Sequence, residues 1–200
     1  MYIVCITGAS GVILGLRLIE ELVRNNFETG VIVSESAQKV IAQEIFNNEK
    51  TYSGITNLLV ERGCKVKDGL IHEYNPLDFF EPVASGSTYF EAAIIVPCSM
   101  KTLGSIANGI SSNLINRVAD IALKESRRLI LVPRETPLSY IHLKNMVTVK
   151  QAGTDIVLPV VEFYTAPRTV DEMIDFIVGK ILNLLNIKHS LFKSWQYDKN

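Results

Sequence analysis

Cysteine is scarce in this 200-residue sequence: Cys5, Cys64 and Cys98 are odd in number and contain no C-x-x-C pair. That excludes a disulfide framework and suits small buried thiols in a reducing compartment. Histidine is equally scarce, and His72, His142 and His189 have no spacing that would gather ligands, so no metal site is expected. His142 is expected to pack or cap within its helix. Excess charge of either sign is also missing, with 20 Lys and Arg against 21 Asp and Glu. This argues against a protein that coats nucleic acid or lies on a membrane, so any anion must be held locally. No uninterrupted apolar run approaches the roughly 18 residues of a membrane span, and no basic leader precedes a long apolar segment. A cytoplasmic protein is the expectation, with neither nucleic acid nor membrane among its partners. Internal repeats and low-complexity tracts are absent.

What the sequence does contain begins at its first residues. Tyr2 to Ile6 is a short apolar run rich in β-branched residues, and Leu14, Leu18, Leu22 and Val23 recur at helical spacing. Between them lies Thr7-Gly8-Ala9-Ser10-Gly11, a turn whose glycines let the backbone bend and approach a ligand closely. The helix that follows offers unsatisfied N–H groups and a positive dipole end, and the Ser10 hydroxyl adds a donor. The turn reads as a phosphate cradle for a mononucleotide. Glycines at 8, 11 and 15 do not make the G-x-G-x-x-G of a dinucleotide fingerprint.

The rest of the chain alternates strand and helix. Glu28 to Ser34 reads as a strand, followed by a helix from Ser34 through Ile45. Residues 47–75 are the least legible, with a helical pattern at Ile55 to Leu59 and a short strand near Ile71. Tyr74 to Ser87 is loop-like. Ala92 to Pro97 is an apolar strand leading through Cys98 to Thr102 into a helix, and residues 113–126 form another helix. Arg128 to Val132 is a strand. Thr136-Pro137 marks the start of a helix running to about Gln151, ended by Gly153. Thr154 to Leu158 is the final strand, and the capping box Thr169-Val-Asp-Glu172 opens a long amphipathic helix. Two hundred residues suit one domain that buries roughly 70% of its unfolded surface. The expected fold is α/β: a single-domain Rossmann-like three-layer sandwich with a mainly parallel sheet and helices on both faces. Its ligand site should lie beyond the carboxyl ends of the strands.

Polar groups gather where that rule directs. Gly8-Ala9-Ser10-Gly11, Ser34, Ser99 to Thr102 and Arg134-Glu135 each follow a predicted strand. A single serine in such a place is ordinarily a helix cap, and a lone lysine on a helix is ordinarily solvated. Four strand ends offering hydroxyls, helix N-termini and a guanidinium make a coherent flavin- or nucleotide-phosphate pocket.

Six motifs then occur in series: T-G-A-S-G at 7–11, A-S-G-S at 84–87, P-C-S-M-K-T at 97–102, V-P-R-E-T-P-L at 132–138, I-H-L-K-N-M at 141–146 and F-Y-x-x-P at 163–167. Together they cover nearly the whole chain, and it resembles the flavin prenyltransferases, the UbiX-type flavoproteins. The resemblance implies a flavoprotein domain over residues 1–187 and a C-terminal tail, 188–200, that covers the active site, with Trp195 as an aromatic lid. It implies that a dimethylallyl group is joined from dimethylallyl phosphate to N5 and C6 of reduced FMN, without metal. The product, prenylated FMN, would serve a UbiD-type decarboxylase. FMN contacts fall on Gly8, Ala9, Ser10, Ser34, Ser99, Met100, Lys101, Thr102 and Arg134. The allylic phosphate falls to Lys124, Glu135, Tyr164 and Lys180, with Glu135, Ser10 and Lys124 as catalytic residues and Glu135 the general acid/base. Ser85, Gly86 and Ser87 belong to a loop that family members present to a neighbouring subunit's flavin, in a homo-dodecamer with sites at subunit interfaces.

Other readings rest on fewer residues. Thr7-Gly8-Ala9-Ser10 with Tyr140-x-x-x-Lys144 suggests a short-chain dehydrogenase, but Val12 and Leu14 stand where its glycines belong. An FMN-dependent cysteine decarboxylase shares the cradle but carries a P-x-M-N-type motif where this chain has Pro97-Cys98-Ser99-Met100. A non-catalytic flavin carrier is the third, because fold does not fix function.

Overall fold

The computed structural model describes residues 1–192. Its elements, in order, are β1 (Tyr2–Ile6), α1 (Val12–Arg24), β2 (Thr29–Val33), α2 (Glu35–Glu44), α3 (Ile55–Glu61), β3 (Ile71–Tyr74), β4 (Ala92–Cys98), α4 (Met100–Ala107), α5 (Leu114–Lys124), β5 (Arg128–Pro133), α6 (Tyr140–Gln151), β6 (Asp155–Ile156) and α7 (Val170–Leu184), with a short 3-10 turn at Pro82–Ala84. One six-stranded sheet runs in the order β3-β2-β1-β4-β5-β6, and every adjacent pair is parallel.

Side chains alternate across this sheet and split the core into two layers. Val4 and Ile6 of β1 pack with Leu14, Leu18 and Leu22 of α1 and with Val178 and Ile181 of α7. Ile3 and Cys5 face the other way, against Leu114, Ile115 and Val118 of α5 and Leu103 of α4. Strands buried on both faces read as continuous apolar runs, which is why β1, β2 and β4 were plain in the sequence. Among the described residues no helix is long and apolar enough to cross a membrane.

The chain departs β1 for β2 on one side and later returns to β4 on the other, so the switch point lies between β1 and β4. In open parallel sheets the ligand crevice lies beyond the carboxyl ends of the strands at such a switch point. Along the β4–β5 pair, Ile95 is opposite Leu131 and Cys98 opposite Pro133, so β4 carries one extra residue between them. Pro97, which has no N–H to give a ladder, sits in that bulge.

Two expectations shift. Thr136-Pro137 does not open α6: the helix begins at Tyr140, where Ser139 accepts from the His142 amide and the His142 ring accepts from the Ser139 amide. The reciprocal capping box of Ser139 and His142 fixes the start instead. The final strand is two residues long, because after Val157 bonds to Leu131 the chain leaves the sheet edge.

Candidate active site

Thr7 stitches the crevice together. Its buried Oγ1 donates to the Pro97 carbonyl at 2.8 Å and accepts from the Ser99 amide at 2.8 Å, joining the loop after β1 to the loop after β4. The Ser34 amide donates to the Ile6 carbonyl at 3.0 Å and the Arg134 amide to the Cys98 carbonyl at 3.2 Å. Four successive strand ends are therefore laced by backbone, and the residues that follow them share one rim.

On that rim, Gly8 lies so close to α2 that an added Cβ would stand 2.4 Å from Ser36 Oγ. Gly11 caps α1 at φ 95°, a backbone conformation that side chains other than glycine's resist. The α1 N-terminus carries an anion of the protein's own. Glu44, the last residue of α2, accepts from the Gly11 amide at 2.9 Å and from the Val12 amide at 3.2 Å. Sequence reasoning missed Glu44, since nothing local marks a carboxylate that meets amides more than thirty residues away.

Ser34 and Ser99 do cap their helices, accepting from the Ala37 and Thr102 amides. Capping uses the oxygen's lone pairs and leaves each hydroxyl proton to be directed. Ser34 Oγ lies 3.1 Å from Ser36 Oγ, and Ser99 Oγ lies 3.0 Å from Thr102 Oγ1. The rim thus carries glycine backbone, two hydroxyl pairs and Ser10, with Met100 and Lys101 opening α4 beside them. This donor set fits the phosphate and ribityl hydroxyls of a mononucleotide. The Gly11 and Val12 amides that the sequence offered to a phosphate are taken by Glu44, so a phosphate is left to the other donors of the rim.

Arg134 and Glu135 line a cleft of about 460 Å³ with Leu138, Met146 and Leu158. The Glu135 carboxylate accepts from the Thr136 amide at 3.0 Å and is otherwise exposed to that cleft. Tyr164 meets Phe176 edge-on at 5.8 Å, and Lys180 Nζ lies 5.3 Å from the Phe176 ring and 5.7 Å from Phe192. Tyr164 and Lys180 thus share one aromatic cluster, and α7 is held to α1 by the Arg17–Asp175 pair. Trp195 lies outside the described residues.

Lys124, Ser85, Gly86 and Ser87 lie elsewhere. α5 runs antiparallel to the strands, so its last residue is about 16 Å along its axis from its start, at the amino pole of the sheet. There Lys124 pairs with Glu125, whose carboxyl that hydrogen bond and charge hold below the usual carboxylate range. A Cβ on Gly86 would stand 2.9 Å from Lys124 Nζ, so these two predicted groups do meet each other. Arg117 donates to the Ala84 carbonyl at the base of the same loop. A cleft of about 490 Å³ lined by Tyr89, Glu125 and Arg127 opens beside it. Within one chain this corner and the switch-point rim are at opposite poles. Among the described residues no group of three or more His, Cys, Asp or Glu is placed to hold a metal ion.

Comparison with known proteins identifies the family. The family model described as Flavoprotein matches residues 1–182. The flavin prenyltransferase UbiX of Methanocaldococcus jannaschii is 47% identical over 193 residues, covering 96% of this chain and 97% of that protein. The crystal structure of AnUbiX (PadA1) in complex with FMN and dimethylallyl pyrophosphate superposes with a TM-score of 0.85 at 38% identity, covering 98% and 97% of the two chains. A dodecameric FMN-dependent UbiX-like decarboxylase from Escherichia coli O157:H7 gives the same TM-score at 35% identity, covering 98% of this chain and all of the other. The peptidyl-cysteine decarboxylase EpiD, 20% identical with a TM-score of 0.58, shares the fold alone. With a matching family model over most of its length and full-length relatives well above 30% identity, the chain belongs to the flavin prenyltransferase family of UbiX-type flavoproteins.

Proposed function

We propose that this protein joins a dimethylallyl group from dimethylallyl phosphate to N5 and C6 of reduced FMN. The observation that carries this reading is the laced rim at the β1–β4 switch point, with the Arg134–Glu135 cleft opening beyond the end of β5, next to β4. Reduced FMN supplies the electron-rich ring that takes the allylic carbon. Gly8, Ala9, Ser10, Ser34, Ser99, Met100, Lys101, Thr102 and Arg134 bind and orient the flavin. Glu135 holds or moves a proton at the reacting edge, and Ser10 assists by hydrogen bonding. Lys124, Tyr164 and Lys180 hold the donor's phosphate, where cations and a phenol favour the charge that grows on the departing oxygen.

In this reading the site is completed by a second copy, which brings Lys124 and the Ser85–Ser87 loop from its own amino pole. Exposed apolar surface supports association: α6 buries only Val149 and leaves Tyr140, Ile141 and Val147 exposed, and Phe80 is 98% exposed. A closed homo-oligomer, a dodecamer as in the E. coli relative, is the proposed assembly. The product would pass to a UbiD-type decarboxylase in the cytoplasm, where the free thiols Cys5, Cys64 and Cys98 stay reduced.

The test is phosphate release under anaerobic conditions. Dimethylallyl phosphate and reduced FMN together should yield inorganic phosphate in step with flavin consumed. Release without reduced FMN, or none with it, contradicts the reading.

A further inference from the structure

At the amino pole one side chain grips the Ser85–Ser87 loop by its backbone. Arg127 follows α5, and its guanidinium donates to the Thr88 carbonyl at 2.7 Å and to the Gly86 carbonyl at 2.6 Å. It lies 4.5 Å from the centroid of the fully buried Phe90 ring and 5.4 Å from that of Tyr89. A planar fork that bonds two carbonyls while resting on an aromatic face is available to arginine and not to lysine. Because the carbonyls of Gly86 and Thr88 are tied inward, Ser85 and Ser87 are left exposed, with their hydroxyls 2.7 Å apart. The anchor is two and three residues from Glu125 and Lys124, so loop and lysine are fixed to one short segment.

We infer that Arg127 is a positioning residue for the prenyl transfer: it sets the Ser85–Ser87 loop and Lys124 in the one arrangement that a neighbouring copy's flavin site can use. The inference rests on the proposed function, since it assigns the corner's purpose from that reaction. The Arg127 guanidinium is spent on the loop's carbonyls and the Phe90 ring. Its loss acts through the geometry of groups that do, and small misplacements of such groups are costly to rate.

The experiment compares wild type, Arg127→Ala and Arg127→Lys by amide hydrogen exchange across residues 84–90 and by anaerobic single-turnover prenylation. Arg127→Ala should lose protection at the loop and slow turnover by about 10²-fold. Its affinity for FMN should fall far less than the rate does, because most of the flavin's contacts are on the rim and only the loop reaches it from the neighbouring copy. Arg127→Lys should not restore the rate, whereas added guanidinium should partly rescue Arg127→Ala. Unchanged exchange, or a wild-type rate in either variant, overturns the positioning role while leaving the reaction standing. If wild type itself makes no prenylated flavin although Arg127→Ala loosens the loop, the reading of the reaction falls, and this role with it.

Discussion

Thr7 holds the site from inside, joining the Pro97 carbonyl to the Ser99 amide. Replacing it by Val keeps the shape but strips the Ser99 amide of its acceptor, and an orphaned buried donor costs about 1–3 kcal/mol. Thr7→Val should therefore lower the urea midpoint and weaken FMN binding together, as read by denaturation and by flavin titration. An unchanged flavin affinity would mean that the two loops hold without their stitch. Glu135 makes the opposite prediction. Glu135→Gln keeps the acceptor for the Thr136 amide, so FMN should bind as before while prenylation slows by about 10²-fold or more. Wild-type single-turnover rates in that variant would remove Glu135 from the proton transfer. Both residues were visible in the sequence to different degrees. Glu135 stood in a motif at a strand end, whereas Thr7 was visible only as the first letter of a glycine turn, because its partners lie ninety residues away.

Among the elements, the central strands carry a chemical signature of their burial. Cys5 on β1 and Cys98 at the end of β4 are fully buried, and burial pushes both thiols up, Cys98 to about 12 from an ordinary 9.0. Between those values the unfolded chain releases a proton that the folded chain keeps. Stability contributed by the neutral thiol is full below pH 9.0 and falls as pH rises through this window, by up to about 1.4 kcal/mol per pH unit for each thiol. The urea midpoint should drop between pH 9 and 11 more steeply in wild type than in a Cys5→Ala/Cys98→Ala variant; parallel curves would show the thiols titrating normally. Buried strands and capping boxes were legible because their signals are local. The Thr169–Glu172 box and the strand near Ile71 were found where the sequence put them. The start of α6 was not, since it is set by the reciprocal bonds between Ser139 and His142 and not by Thr136-Pro137. The seat of Glu44 on α1 depends on how α2 packs, which periodicity does not encode.

For the whole molecule, the placement of Lys124 at the pole away from the rim is the fact with the widest consequence. The sequence names the residue without its pole, and in the proposed assembly it serves a neighbour's flavin. If the site is shared, Lys124→Met and Glu135→Gln should each be nearly inactive alone yet complement each other. In mixed oligomers about a quarter of sites would by random assortment join an intact Lys124 to an intact Glu135. Failure of mixed oligomers to recover activity would place both groups in one chain's site. Beneath all of this stands the reaction itself, and the mass of the flavin reports it most directly. Anaerobic incubation of the protein with reduced FMN and dimethylallyl phosphate, followed by mass analysis of the released flavin, should give a species heavier than FMN by one isoprene unit. Recovery of unmodified FMN alone, from protein shown to bind both compounds, would contradict the account.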